Sequence, residues 1–540
     1  MSVLTDSSAY SGYIYHEPKT NWTSTNKIKK TLTAVEIDKS KSLKTGGLPI
    51  ISNGKTAYID DSDNHCSIYG ASGFKKSTCG FMPLINITAL SNESMVIIDP
   101  KGELYSRTAK HIKDCGYNTI VLNYRDFNAD GYNPLHYPAR LWKEKGETDK
   151  AASITNDFCS AIAKRQDDHG NIDPFWPETA KAFINGVLPM LFDSYKDIDS
   201  INLLTLADYF TEKSADCLKE FVFESKVNNA AMSNMRTVLS EPEKTRLSTL
   251  ATCSSFIQPF IQNDKLARML SHSTFELEDI ATPKTALYII TDDTTTVCNP
   301  IVGVLISQLQ TVLIDKAFHS ENGKLENRVN FFLDEFCSFP IPGICEALAT
   351  HRSRNIRYFL CIQSLSALSA RYPHYESLLA NCATTLFFGS TEEKLLKMIS
   401  DRCGETEKTS SGRAEPLISI PELMTLKKDW DSKEVLYMNL AESIRYCATL
   451  PAIEQYEAFA CEKSVLPNVI HPPVNVYTFR DLLHDISIDE AKLPFAQPSK
   501  NSKTKSRTTK RNTSDFKSDI QKELEAKFDE LFGPVSDEEE

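Results

Sequence analysis

Along most of the chain, short runs of consecutive apolar residues alternate with stretches whose apolar positions recur every three or four residues. The runs are CSIY from Cys66, SMVIID from Ser94, YNTIVLNY from Tyr117, TALYIIT from Thr285, VNFFLDE from Val329, RYFLCIQ from Arg357, ATTLFFG from Ala383 and EVLYMNL from Glu434. An unbroken apolar run suits a strand covered on both faces. With helices between them, such strands predict an α/β fold around a mainly parallel sheet.

Between residues 141 and 278 the strand signals stop. In FWPETAKAFINGVLPMLFDSY, Trp176, Ala180, Phe183, Val187 and Met190 fall on one helical face. Pro189 predicts a kink near the end of that helix. LLTLADYFTEKSADCLKEFVF also reads as helical. The expected organisation is a polar, loosely ordered lead-in over 1–46 and a sheet domain split between 47–140 and 279–465. An all-α domain over 141–278 interrupts it, and a C-terminal extension over 466–495 follows. Residues 496–540 then carry Lys500, Lys503, Lys505, Arg507, Lys510, Arg511 and Lys517 against one acid, Asp515, which predicts a disordered basic linker. Beyond it Ile520, Leu524, Phe528 and Leu531 form one helical stripe, and the chain ends in SDEEE. That short amphipathic helix suits docking to a partner or back onto its own domain.

Composition narrows the classes. The chain has 540 residues, 41% apolar and 24% charged, with a formal net charge of -12. That balance excludes a globally basic nucleic-acid binder, so any such contact must come from local patches. Its 14 cysteines include no C-x-x-C pair, which argues against a zinc ribbon or redox motif and fits reduced thiols in the cytosol. No signal peptide is visible at the N-terminus, and no run of about 18 apolar residues predicts a membrane span.

Candidate chemistry begins at GASGFKKST, which is Gly70, Ala71, Ser72, Gly73, Phe74, Lys75, Lys76, Ser77 and Thr78. It has the frame of the phosphate-binding loop G-x-x-x-x-G-K-[ST], except that Lys75 stands where glycine is expected. In such a loop, backbone N–H groups ring a phosphate, the lysine reaches the outer phosphates and the Ser hydroxyl holds magnesium. Lys75 either crowds the phosphate or turns outward. Gly80 and Pro83 predict a short or bent helix after the loop. The run VNFFLDEF supplies the second half of a site. Asp334 would hold magnesium and Glu335 would polarise the attacking water. Gln363, at the end of the next run, is placed to sense the outer phosphate. Of Arg352, Arg354 and Arg357, at least two read as surface charges, and one is open to acting across a subunit boundary.

With these residues in view, the chain resembles the type IV secretion coupling proteins of the TraG/TraD family. The resemblance rests on DPKGEL (Asp99 to Leu104), YNPL (Tyr132 to Leu135), DPFWPETA, TALYIITDD, FLDEF, IQSLSAL…RYP and EPLISIPELMTL, in that order over about 47–460. It looks like the soluble branch found in Gram-positive mobile elements. The resemblance implies a RecA-like ATPase domain interrupted by an all-α domain, working with ATP and Mg2+. It implies homo-hexamers at the cytoplasmic face of the membrane. These receive a relaxase–DNA complex and pass single-stranded DNA to membrane-embedded channel components. On this resemblance Gly70, Gly73, Lys76 and Ser77 match the phosphate loop, Asp334 and Glu335 the paired acids, and Gln363 the downstream motif. Family members usually carry N-terminal transmembrane helices. Their lack here predicts either a soluble form recruited by a membrane partner or a truncated one. Lys75 puts hydrolysis itself in question. The rival readings are a non-hydrolysing substrate receptor on the same fold and an FtsK-like double-stranded DNA translocase.

Overall fold

The computed structural model describes residues 20–167, 173–224, 230–292, 294–407 and 414–482. The strands of its central sheet are numbered here in chain order: β1 (Cys66–Gly70), β2 (Ser94–Asp99), β3 (Asn118–Asn123), β4 (Asn128–Ala129), β5 (Thr285–Ile290), β6 (Val329–Leu333), β7 (Ile356–Ile362), β8 (Thr384–Gly389), β9 (Ser432–Asn439) and β10 (Ile444–Pro451). Each apolar run of the sequence is one of them. Their spatial order is β10-β9-β8-β1-β7-β6-β2-β5-β3-β4. Every neighbouring pair from β8 to β3 is parallel, and only the edges are antiparallel.

The runs are continuous because both faces of the sheet are buried. Successive side chains point to opposite faces. Val96, Ile98, Phe331, Leu333 and Leu360 therefore join one core, and Met95, Ile97, Phe332, Phe359 and Cys361 join the other. The first core runs on into the helical segment, through Phe183, Val187 and Leu191. Between β4 and β5 the described residues form helices and no strand. Helix Phe175–Ser194 buries Ala180, Phe183, Val187 and Met190, as the spacing predicts, and continues past Pro189 to Ser194. The next helical stretch divides into Leu203–Asp208 and Glu212–Glu224. Helix Asn299–Phe318 is long and apolar enough to cross a membrane by composition, yet 72% of its apolar window is buried. It packs on helix Thr148–Asp167 as a core element.

The lead-in differs from expectation. Residues 20–46 are not loosely ordered. Ser24 caps helix Thr25–Thr31, and strand Thr33–Glu36 joins Leu48–Ser52 and Thr56–Asp60 in a three-stranded antiparallel sheet. Ile28, Leu32 and Ile37 are buried in the second core. Three apolar residues in a Ser/Thr/Lys-rich stretch carry too little periodicity to predict this, and the sheet they cover supplies the driving force. At the other end, the extension crosses onto the helical segment. Asn202 donates to the Asn475 carbonyl (2.6 Å), and Tyr477 N–H donates to Thr205 Oγ1 (2.9 Å). The basic linker and amphipathic stripe lie outside the described residues.

Arg357 parts company with Arg352 and Arg354. It sits inside β7, 2% exposed, and not on the surface. Its guanidinium donates to Asn330 Oδ1 (2.9 Å), the Ser62 carbonyl (3.0 Å) and the Gly46 carbonyl (3.2 Å), and faces buried Glu93 at 3.5 Å. A guanidinium is tolerated there because its donors are met and a carboxylate stands beside it.

Candidate nucleotide site

Parallel strands end together, so β1, β7, β6 and β2, adjacent in that order, deliver their carboxyl ends to one edge. Open α/β sheets place ligands at that edge. β1 ends at Gly70, and a helix starts at Lys76. A side chain at Gly70 would bring its Cβ within 2.8 Å of Lys76 Cδ, so glycine leaves the lysine its path. Gly73 takes φ +80°, which glycine adopts without strain. The first turn of the helix is wide, with Met82 N–H reaching back to the Ser77 carbonyl. The helix then continues over Met82–Ala89, entirely buried. Gly80 and Pro83 thus widen its start without ending it.

Lys75 adopts φ 62° and ψ 22°, the left-handed geometry that the missing glycine would take. A non-glycine residue there carries a strain of roughly 1–2 kcal/mol. Its side chain turns away from the loop, and Nζ donates to the Asp429 carbonyl (2.6 Å) and the Trp430 carbonyl (2.5 Å). In the reverse direction, Lys428 Nζ donates to the Gly73 carbonyl (2.6 Å). The loop before β9 is therefore clasped to the loop after β1.

Lys76 is buried, and its ammonium donates to the Ala71 carbonyl (2.9 Å). A buried ammonium calls for an anion beside it. Two strands away, Asp334 and Glu335 follow β6, with Glu335 at φ 49°. Glu335 N–H donates to Asp334 Oδ1 (3.0 Å). Gln363, following β7, donates to Glu335 Oε1 (3.2 Å), and Lys101 Nζ lies 3.7 Å from the same oxygen. Burial and then the Asp334 charge push the Glu335 carboxyl above its usual range, while Lys101, Lys76 and Gln363 pull it back. Asp99 ends β2, 1% exposed, and accepts Tyr105 N–H (2.7 Å). Burial pushes its carboxyl up to about 6.

These groups open on one cavity of about 610 Å³. Of the expected residues, Ser72, Gly73, Lys75, Lys76, Ser77, Thr78, Asp334, Glu335 and Gln363 line it. Gly70, Ala71 and Phe74 do not. Ala71 N–H bonds the Gly389 carbonyl (3.1 Å), and the Phe74 ring packs against the second core. The sequence reading missed Asp99, Lys101, Trp430 and Glu454, which also line the cavity. The first two were in plain view inside DPKGEL. The other two come from distant loops and carry no local signal. Arg352 and Arg354 precede β7 and so stand at the opposite edge of the sheet.

Two features of the cavity suit a phosphate group. Gly73 has open space around it, and Lys76 offers a buried ammonium. The Ser77 hydroxyl and the Asp334 carboxylate on the same cavity form an oxygen donor set suited to magnesium.

A parallel sheet with a Gly/Lys/Ser loop on one strand, paired acids two strands away and a polar residue between them defines a RecA-like P-loop fold. The chain belongs to the type IV secretory system conjugative DNA transfer family, whose family model matches residues 18–420. DNA and a secretion system are the partners this family implies. Among solved structures it is similar to the unbound bacterial conjugative coupling protein TrwBdeltaN70, at 17% identity and TM-score 0.57, over 84% of this chain and 96% of that one. It is similar to plasmid coupling protein TrwB in complex with a non-hydrolysable ATP analogue, at 16% identity and TM-score 0.56, over 85% and 96% of the two chains. It is also similar to TrwB in complex with ADP and Mg2+, at 16% identity and TM-score 0.54, over 85% and 97%. No curated protein sequence matches the chain.

Proposed function

We propose that this chain is the ATP-driven coupling protein of a conjugative type IV secretion system. It receives a relaxase–DNA complex and feeds single-stranded DNA to membrane-embedded channel components. It works as a homo-hexamer held at the cytoplasmic face of the membrane by a partner. Residues 47–140 and 279–465 are the nucleotide-binding domain, and 141–278 form the inserted all-α domain that meets cargo. Gly70 to Thr78 hold the phosphates, with Lys76 on the outer ones. Ser77 and Asp334 hold Mg2+, which neutralises phosphate charge. Glu335 accepts a proton from the attacking water, and Gln363 orients both.

The observation that carries this reading is the convergence of four strand ends on one cavity. It brings together Lys76, Ser77, Asp334, Glu335 and Gln363 from across the sequence. The reading draws support from the similar fold of TrwB, whose structures were determined with an ATP analogue and with ADP and Mg2+. The test is ATP hydrolysis by the purified chain with and without single-stranded DNA. DNA-stimulated turnover is expected, falling at least a hundredfold in Glu335→Gln while Mg–ATP binding persists. Absence of hydrolysis under both conditions would overturn it. A second reading, a receptor that binds cargo without hydrolysis, draws support from the left-handed lysine in the phosphate loop. It predicts cargo binding indifferent to Lys76→Ala.

A further inference from the structure

The Lys75 side chain, unlike that of Lys76, points away from the phosphate loop whose backbone it belongs to. Strained backbone persists where the surroundings over-determine it. Here they do so through charge-assisted hydrogen bonds to the Asp429 and Trp430 carbonyls. The same loop is held twice more. Lys428 reaches the Gly73 carbonyl, and Lys433, 1% exposed, donates to the carbonyls of Leu426 (2.9 Å) and Lys427 (3.2 Å). The backbone at Trp430 is therefore fixed, while the residue is 83% exposed and lines the cavity.

Two groups of residues line the cavity. Glu335 is bonded to Gln363 and feels the charges of Asp334 and Lys76, which are the phosphate-facing groups. Trp430, Asp431, Ala452 and Glu454 come from the loops flanking β9 and β10 and are tied to one another and to Lys75, with Ala452 N–H on the Asp431 carbonyl. Glu454 lies within reach of Lys75, and although burial opposes it, Arg107 and Lys75 hold its carboxyl below the usual range. A nucleotide with its outer phosphate at Lys76 has its sugar and base left to meet the second group. An aromatic ring on an anchored backbone stacks a base without sequence preference and loses little freedom in doing so.

We propose that Lys75 is a positioning residue that replaces a glycine with a tether, holding the 428–431 loop so that Trp430 stacks on the nucleotide base. The proposal rests on the nucleotide-site reading above. The Lys75 side chain touches no phosphate and acts through Trp430.

The test compares two ligands on the full chain by titration calorimetry: a non-hydrolysable ATP analogue and inorganic tripolyphosphate, both with Mg2+. The quantity read is the ratio of the two affinities. Trp430→Ala and Lys75→Met are each expected to lower that ratio about tenfold. The double variant lowers it no further, because the two act through each other. Trp430→Phe and Lys75→Arg return most of it. Lys75→Gly, which relieves backbone strain and so keeps the fold, lowers the ratio as well. An equal gain for both ligands in Lys75→Gly overturns the proposal, because Lys75 would then only obstruct phosphate. An unchanged ratio in Trp430→Ala overturns it too. If the unaltered chain binds neither ligand, the nucleotide-site reading itself falls, and the tether with it.

Discussion

At the scale of single residues, the site depends on atoms that are missing as much as on those present. Gly70 is the example, since a Cβ there would meet Lys76 Cδ at 2.8 Å and Phe388 Cβ at 3.1 Å. The lysine stem would have to leave the path it takes to the Ala71 carbonyl. Gly70→Ala is therefore expected to weaken nucleotide binding about tenfold or more, with thermal stability little changed. Calorimetric titration and a melting curve check both halves. Gly70, Gly73, Lys76 and Ser77 were legible because the loop is defined by short spacing along the chain. The oddity at Lys75 was equally legible, and the structure takes the second of the two courses left open for it, the outward turn. The carbonyls it grips were not, because they lie 354 and 355 residues further along.

At the scale of elements, buried charges decide which helices and strands hold together. Trp142 Nε1–H donates to Asp193 Oδ1 (2.5 Å), tying helix Phe175–Ser194 to the segment before Thr148. Burial pushes the Asp193 carboxyl up to about 6 from 3.8, against the pull of Trp142 and Lys143. Between those two values the native state holds more protons than the unfolded chain. Stability therefore falls as pH rises through that window, and the full loss is present above it. Asp193→Asn keeps an acceptor for the indole. It is expected to stabilise the protein by on the order of 1–3 kcal/mol near pH 7.5 and not near pH 4, read from thermal melts at both. Arg357 works the other way. It joins β7 to Asn330 of β6 and to the Gly46 and Ser62 carbonyls, beside Glu93. Removing it takes the donor from Asn330 Oδ1 and from the Ser62 and Gly46 carbonyls and leaves Glu93 with Arg328 alone as its cation, so Arg357→Ala is expected to cost on the order of 3–5 kcal/mol, seen as a lower urea midpoint. Its sequence context, THRSRNIR, looked like surface because three arginines stood together. Only the strand pairing shows that the third has crossed into the sheet.

At the scale of the whole molecule, a chain of net charge -12 belongs to a DNA transfer family. Contact with a polyanion must then be local. The basic residues between Lys500 and Lys517 are the densest such cluster in the sequence. Deleting residues 496–540 is expected to flatten the dependence of single-stranded DNA affinity on salt, by about 0.7 in the log–log slope for each phosphate that the tail neutralises. Fluorescence anisotropy over a salt series measures it. The sequence by itself determined eight of the ten strands of the central sheet, the strand-free middle, the phosphate loop and the paired acids. Each of those signals is local, written in periodicity or in spacing over a few residues. Tertiary structure alone decided that residues 20–46 fold, that Arg357 is buried, that Asp99 and Lys101 share the cavity with Glu335, and that Lys75 grips the Trp430 loop. Those facts depend on which distant surfaces meet. That is settled by burying apolar area and satisfying buried polar groups across the whole chain, and no short stretch of sequence records it.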